Sequence, residues 1–415
     1  MNMDVINNYH QGLLNWLLTN GWSGWDPYDI YDSWLGRWAT KKENILQRGF
    51  NYLLSEGNEL SPILLRRMLD IKPSTNPKAM GLFALSFLKL AEFGQPAKKS
   101  LYQESANQCL GWLNNNKVTK YGGCGWGYPF NWQSRILIKK HTPTAVNSSI
   151  IGNAYWWNYV THGDEKALNT CKSICEFFLN GLNRSMPDSD GSFCFSYTPV
   201  DNFQVHNANL FVSEFLIRIG TETSNYQWVD IGLQALNFSL AEIRDDGTLN
   251  YWSNDQASGV QQDTYHSGFE IRALNAISRT LDSNHLTKKT KIYFNAWLEQ
   301  YLPNDGALKL GGSEEKCVEV HRTAEAVLVL KDMLDSEIID KEIFVQNITK
   351  VLPAITELWV QGETDSGYFT SKACRGYAKF LKSEIPYIRW GQAWMFLALT
   401  ELKRYDTFPP PQICN

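Results

Sequence analysis

The sequence predicts an all-α protein, an (α/α)6 toroid of six inner and six outer helices with short β-hairpins at one rim, built from residues 1–415 as one domain. Three observations carry that expectation. Six segments open on polar residues and continue apolar, with few charges. Six ordinary amphipathic segments alternate with them. The connections into the first set share a glycine turn followed by aromatic residues. A helical repeat can hold a long chain in one domain, which overrides the two or three domains that length alone suggests.

In the first set, Asn76-Pro77-Lys78 leads into 79–90, Thr142-Pro143-Thr144 into 145–160 and Val205-His206-Asn207 into 208–219. Thr264-Tyr265-His266 leads into 267–281, Val320-His321-Arg322 into 323–334 and Ile388-Arg389-Trp390 into 391–402. From Ala79 through Ala145, Asn207, Ser267 and Arg322 to Trp390 the steps are 66, 62, 60, 55 and 68 residues, which suits two helices and two connections. The second set is 41–56, 99–115, 165–180, 227–243, 288–301 and 341–360. In its fourth member Leu233, Leu236, Leu240 and Ile243 form an apolar stripe beside the polar Asp230, Gln234 and Asn237, as in a helix packed on one face only.

The connections are Gly122 to Pro129, Asp190 to Phe195, Asp246 to Trp252, Asp305 to Leu308 and Ser366 to Thr370. Each joins a turn signal to residues that read as a short strand or hairpin. All precede the same end of an inner helix, so they predict one crowded rim with a pocket.

Composition narrows the function. There are 39 basic and 43 acidic residues, a net charge of −4, which offers no general attraction to nucleic acid or an anionic bilayer. Aromatic residues make up 13% of the chain, an excess that suits either a sugar-binding cleft or a large core. The N-terminus lacks the basic and apolar regions of a signal peptide, and no apolar run approaches the ~20 residues of a membrane span. Of the cysteines, Cys171 and Cys175 share a helix face and Cys124, Cys194, Cys317 and Cys374 fall in rim connections. They read as packing thiols, and with no C-x-x-C present they place the chain in the reducing cytosol.

Candidate catalytic residues cluster at the inner-helix starts. Tyr265-His266 precedes Glu270 and His321 precedes Glu325, each His-x-x-x-Glu pair lying one turn apart on one face. His206 occupies the matching point of the preceding repeat. A histidine satisfied at a helix start is the plainer reading of any one of them. Three at one structural level point to a functional mouth. The same residues invite metal ligation, but neither His-x-x-x-His nor His-Glu-x-x-His occurs, and the sequence predicts no metal and no other cofactor. For substrate binding, Lys78, Arg135, Arg322 and Arg389 are candidates for an anion, against the plainer reading of each as a solvated or ion-paired base. Trp126, Tyr128, Trp132, Tyr251 and Trp252 are candidates for sugar faces, and Asn207, Asn209 and Gln392 for hydroxyls. Hydrolysis would instead draw two carboxylates from Glu270, Glu325, Asp201 and Asp263.

Five motifs complete the reading: Gly24-Trp25-Asp26-Pro27-Tyr28-Asp29, Asn76-Pro77-Lys78, Gly125 to Gln133, Val205 to Asn209, and Tyr265 to Phe269. With them the chain resembles, from Gly24 to Leu402, the bacterial VpsJ-type polysaccharide-biosynthesis proteins. It departs after Asp29, where Ile30-Tyr31-Asp32-Ser33 replaces the Asp-Gly-Leu-Asn often found there. The resemblance implies a toroid shared with terpenoid cyclases, sugar 2-epimerases and the C-terminal domain of glucuronyl C5-epimerases. It also implies a setting in capsule, exopolysaccharide or O-antigen assembly, an oligo- or polysaccharide substrate, free or lipid-linked, and other glycan-assembly proteins as partners.

The residue inventory best suits C5 epimerisation of a uronic-acid glycan. A proton leaves the carbon alpha to a carboxylate and another returns on the opposite face, with an arginine holding the carboxylate and histidines moving the proton. A uronate lyase, an inverting glycoside hydrolase, a free-sugar 2-epimerase using two histidines, and a non-catalytic glycan-binding subunit are the alternatives.

Overall fold

The computed structural model describes residues 3–256, 262–304, 309–310, 317–363, 365–374 and 384–407. The expected connection Asp305 to Leu308 lies outside the described residues. In chain order the helices are α1 (Met3–Asn20), α2 (Trp34–Ala39), α3 (Ile45–Leu60), α4 (Pro62–Met68), α5 (Pro77–Phe93), α6 (Lys99–Asn115), α7 (Ala145–His162) and α8 (Glu165–Gly181). They continue as α9 (His206–Glu222), α10 (Tyr226–Ala241), α11 (Thr264–Thr280), α12 (Asn284–Tyr301), α13 (Val320–Asp335), α14 (Lys341–Leu358) and α15 (Trp394–Thr407), the last preceded by a π-helical turn, Ile388–Ala393.

The apolar segments form the inner wall. Helices α5, α7, α9, α11, α13 and α15 touch in that order and α15 returns to α5, closing a six-membered ring. Burial on nearly every side explains their composition: α5 buries fourteen of its seventeen residues. Close approach matters too, since a Cβ on Gly81 would come within 2.8 Å of Ile151 on α7. Helices α6, α8, α10, α12 and α14 each pack outside the inner helix before them. The sixth outer place is filled by α1, which packs on α15, so the first helix completes the pair of the last. This corrects the expectation for 41–56. That segment falls in α3, which stands with α2 and α4 in an excursion beside the ring.

Starts of the inner helices follow capping chemistry. Asn76, Thr144, Asp263 and Glu319 accept backbone N–H bonds at the first turns of α5, α7, α11 and α13. The glycines of three rim connections, Gly122, Gly191 and Gly247, all adopt φ +82°, a backbone that disfavours any side chain. In the last of these connections the left-handed residue is Asp365 instead.

Among the described residues strand is confined to two- and three-residue antiparallel pairs such as Trp132–Gln133 with Leu137–Ile138 and Trp359–Gln361 with Gly367–Phe369. Single bridges, Val118 to Gly125, Arg184 to Phe195 and Val205 to Trp252, close other connections. A further pair, Cys317–Glu319 with Lys372–Cys374, sets Cys317 opposite Cys374, and the two are joined as a disulfide. They are therefore not packing thiols. No helix among the described residues is long and apolar enough to cross a membrane.

Inside the ring, Phe211, Phe269 and Trp394 make a layer across the axis, with ring centroids 5.4 Å apart at each contact. On one side of it lies a cavity of about 170 Å³ reached by Arg218, Arg272, Glu214 and Asp332. On the other lies the rim.

Candidate active site

At α11 the cap also sets a histidine. Asp263 Oδ1 accepts from the backbone N–H of Tyr265 (3.2 Å) and His266 (2.9 Å), while Oδ2 lies 3.0 Å from His266 Nδ1. A carboxylate can only accept, so Nδ1 carries a proton, and the cap does not use Nε2. At α13 Glu319 accepts from the N–H of His321 and Arg322 and from the Trp390 indole. His321 itself is held differently. Neither of its ring nitrogens has a hydrogen-bond partner among the described residues. The ring stacks on Tyr265 (4.5 Å) and Trp394 (5.0 Å), with the Trp390 ring edge-on to it at 4.5 Å. Burial first, then the charges of Lys78 and Arg389, hold this imidazole well below its ordinary range, so it is neutral at pH 7. Tyr265 also lies 4.1 Å from the His266 ring, so the two histidines share one aromatic neighbour.

Around them stands a wall of phenols. Tyr128 stacks on Phe130 at 5.4 Å and meets Trp132 at 5.6 Å, and Trp132 meets Tyr197 at 5.4 Å. Tyr28 packs on Trp390 and Tyr251 on His266. Burial raises the pKa of Tyr28, Tyr128, Tyr197, Tyr251 and Tyr265, leaving neutral hydroxyls that donate. Asn147 has both amide atoms, and Asn207 its Oδ1, buried without a partner among the described residues. Buried polar atoms are rarely left so, which marks these inner-helix starts as places for a ligand or water.

The cations are less available than the sequence suggests. Arg389 already holds a carboxylate: Nε and Nη2 lie 2.5 and 2.8 Å from the two oxygens of Asp26, a buried bidentate pair. Arg322 stands 3.7 Å from both Asp263 and Glu319. Arg135 is exposed, lies 3.6 Å over the Trp252 ring and donates to Gln256 O, stapling the connection into α7 to the one into α11. Lys78 is the exception. It is buried beside the Tyr128 ring, with no carboxylate in salt-bridge reach among the described residues. Burial, then Arg389, pushes its amine well below the ordinary range, with Asp26 opposing.

Several expected site residues face elsewhere. His206 bonds Ser239 (3.1 Å) and Glu242 (2.9 Å) at the outer helix α10, and Asn209 bonds Ala235 O and Ser239 there. Glu270 accepts from Tyr293 of α12 and from Gln262, so it does not orient His266; Asp263 does. Glu325 is engaged by Arg272, one of the residues lining the axial cavity. Trp126 donates to Leu113 O in the core, Gln392 pairs with both backbone groups of Phe369, and Trp252 is packed under Arg135. His206, Asn209 and Glu270 each meet a polar partner of the outer layer. The reading from sequence did not select Asp26, Tyr28, Asn147, Tyr197, Glu319 or Trp390 as site residues. The cap positions one residue before a helix were the one signal that could have found Glu319. Among the described residues no group of three or more His, Cys, Asp or Glu side chains is placed to hold a metal ion.

No protein-family profile and no curated protein matches this chain. Among solved structures it is similar to a sugar epimerase from a ruminal bacterium, at TM-score 0.63 and 13% identity over 97% of this chain and 99% of that one. A GH76 alpha-mannanase from Bacteroides thetaiotaomicron gives TM-score 0.58 and 14% identity over 81% and 89%. A cellobiose 2-epimerase from Bacillus thermoamylovorans gives 0.55 and 12% over 80% and 90%. At such identities the likeness establishes the fold, an α/α toroid.

Proposed function

We propose that this chain is a sugar epimerase or isomerase that moves a proton at a carbon next to a carbonyl, with His266 and His321 as the acid–base pair. The observation that carries the reading is the contrast between them. One imidazole is fixed through Nδ1 by Asp263, and the other is neutral, buried and without a hydrogen-bond partner among the described residues. Neutral His321 takes the proton from the carbon, and the electron pair moves onto the carbonyl oxygen as an enediolate. The phenol hydroxyls and Lys78 offer donors to that oxygen. His266, entering the step as an imidazolium steadied by Asp263, returns its Nε2 proton to the opposite face and becomes neutral as His321 becomes charged, and the roles exchange in the reverse direction. The epimerase names among the structural neighbours support a sugar as the substrate, and the tyrosine wall suits its C–H faces.

The rim carboxylates weigh against hydrolysis. Asp26, Asp263 and Glu319 are all engaged by donors of the chain itself. A uronate processed at C5 is the second reading, and Lys78 favours it. An anionic substrate would supply the carboxylate that this buried amine lacks among the described residues, whereas Arg389 is occupied by Asp26. The surface-polysaccharide setting rests on the sequence motifs.

Proton NMR in heavy water tests the reaction. Incubating the protein with reducing disaccharides and with uronate oligosaccharides should place deuterium at C2 of the former or C5 of the latter. His266→Ala and His321→Ala should each reduce that exchange at least about 100-fold while sugar binding persists. New vinyl signals would replace the reading by a lyase, new reducing ends by a hydrolase, and binding without any exchange by a glycan-binding protein.

A further inference from the structure

Helix α3 is inside out. Apart from buried Leu54, its inward stripe is polar: Gln47 accepts from the N–H groups of Glu43 and Asn44, and Asn58 accepts from Arg66 (2.8 Å) and Tyr387 (3.1 Å). Its outward stripe is apolar. Leu46, Leu53 and Leu60 recur every seven residues at 65%, 61% and 61% exposure, with Ile45 at 85% and Tyr52 at 63% beside them. With Phe50 these side chains offer on the order of 800 Å², above the largest apolar patch of most monomers and about what each partner of a standard interface buries. An amphipathic helix ordinarily turns the other way.

We infer that the outward face of α3 is the contact between two copies of this chain, paired antiparallel about a two-fold axis near Tyr52. The pattern along the helix is self-complementary. A two-fold pairs position i with a position near 105 − i, which sets Ile45 against Leu60 of the second copy and Gly49 against its Glu56. A Cβ on Gly49 would meet nothing within 4 Å in one copy, so the surface there is open to a second helix. The same pairing brings Arg48, in the basic half of the helix, beside Glu56 in the acidic half of its mate. It does so twice, and the two helix dipoles oppose. A lipid surface fits less well, because Glu56 would lie among the apolar residues facing an anionic headgroup layer.

Sedimentation velocity of the full chain over a dilution series up to about 100 μM decides the matter, since a complex weaker than that carries no specific interface of this size. The wild type should dimerise. Arg48→Glu and Glu56→Arg should each weaken the dimer by about tenfold or more, and the double variant, which exchanges the charges, should recover it. Circular dichroism checks that each variant is folded, and the wild-type series alone still decides if one is not. A monomer throughout would overturn the inference, and so would a dimer indifferent to these charges. Flotation with phosphatidylserine vesicles without self-association would assign the face to lipid and overturn it as well. None of these outcomes depends on the reaction proposed above.

Discussion

At the scale of the residue, polar side chains at inner-helix starts divide by direction, and direction decides their roles. His206, Asn209 and Glu270 reach outward to satisfy or be satisfied by the second layer. His266, His321, Asn147 and Asn207 keep atoms without such partners. Two substitutions separate the classes. His206→Ala should destabilise the fold by roughly 1–3 kcal/mol, by removing one buried partner each from Ser239 and Glu242, yet leave kcat near the wild-type value. Asp263→Asn retains a good helix cap and should keep the melting temperature while lowering kcat. It also removes the charge that steadies His266. Thermal melts and turnover on each variant check both, and a fall in kcat for His206→Ala equal to that for Asp263→Asn would undo the division.

Among the elements, α1 takes the outer place that the sequence suggests for the segment around α3. The segment around α3 has the amphipathic pattern of an outer helix, but α1 supplies the sixth outer wall by packing Ile6, Leu13, Leu14 and Leu17 in the core alongside α15. The consequence is a ring whose last inner helix depends on the first twenty residues. Deleting residues 1–20 should expose the outer face of α15, lowering the melting temperature and producing dye-binding apolar surface or insoluble protein. A melt unchanged from the full chain would show that α1 is dispensable. The excursion α2–α4 shares the rim with the site, since Asp26 and Asp29 bind Arg66 of α4 while Asp26 also holds Arg389.

For the whole molecule, the closed ring buries carboxyl groups in its wall, and stability should follow pH accordingly. Burial raises Glu270 from 4.5 to about 8 and Glu325 to about 7, with Arg272 opposing the latter shift. Raised folded-state values mean that the native state binds more protons than the unfolded chain between about 4.5 and 8. The stabilisation they give is complete below about 4.5 and is lost as pH rises through the folded-state values. Glu270→Gln should therefore flatten the fall of melting temperature between pH 5 and 8 while keeping an amide on Tyr293. An unchanged slope in calorimetry would mean that other groups set it.

The sequence by itself determined the repeat. Spacing of polar helix starts, apolar inner segments and amphipathic outer ones fixes the periodicity of an (α/α)6 toroid, because burial on all sides and burial on one side demand different compositions. It also placed Tyr265, His266, His321 and Lys78 at the rim, since residues at a helix start share a level whichever way they point. Which way they point was decided only by tertiary structure. The partners of His206, Glu270 and Arg389 come from Ser239 and Glu242, Tyr293, and Asp26, residues 33 and 36, 23, and 363 positions away. A helical period locates a side chain on its own cylinder; the electrostatics of a buried group depend on what the neighbouring cylinders bring to it.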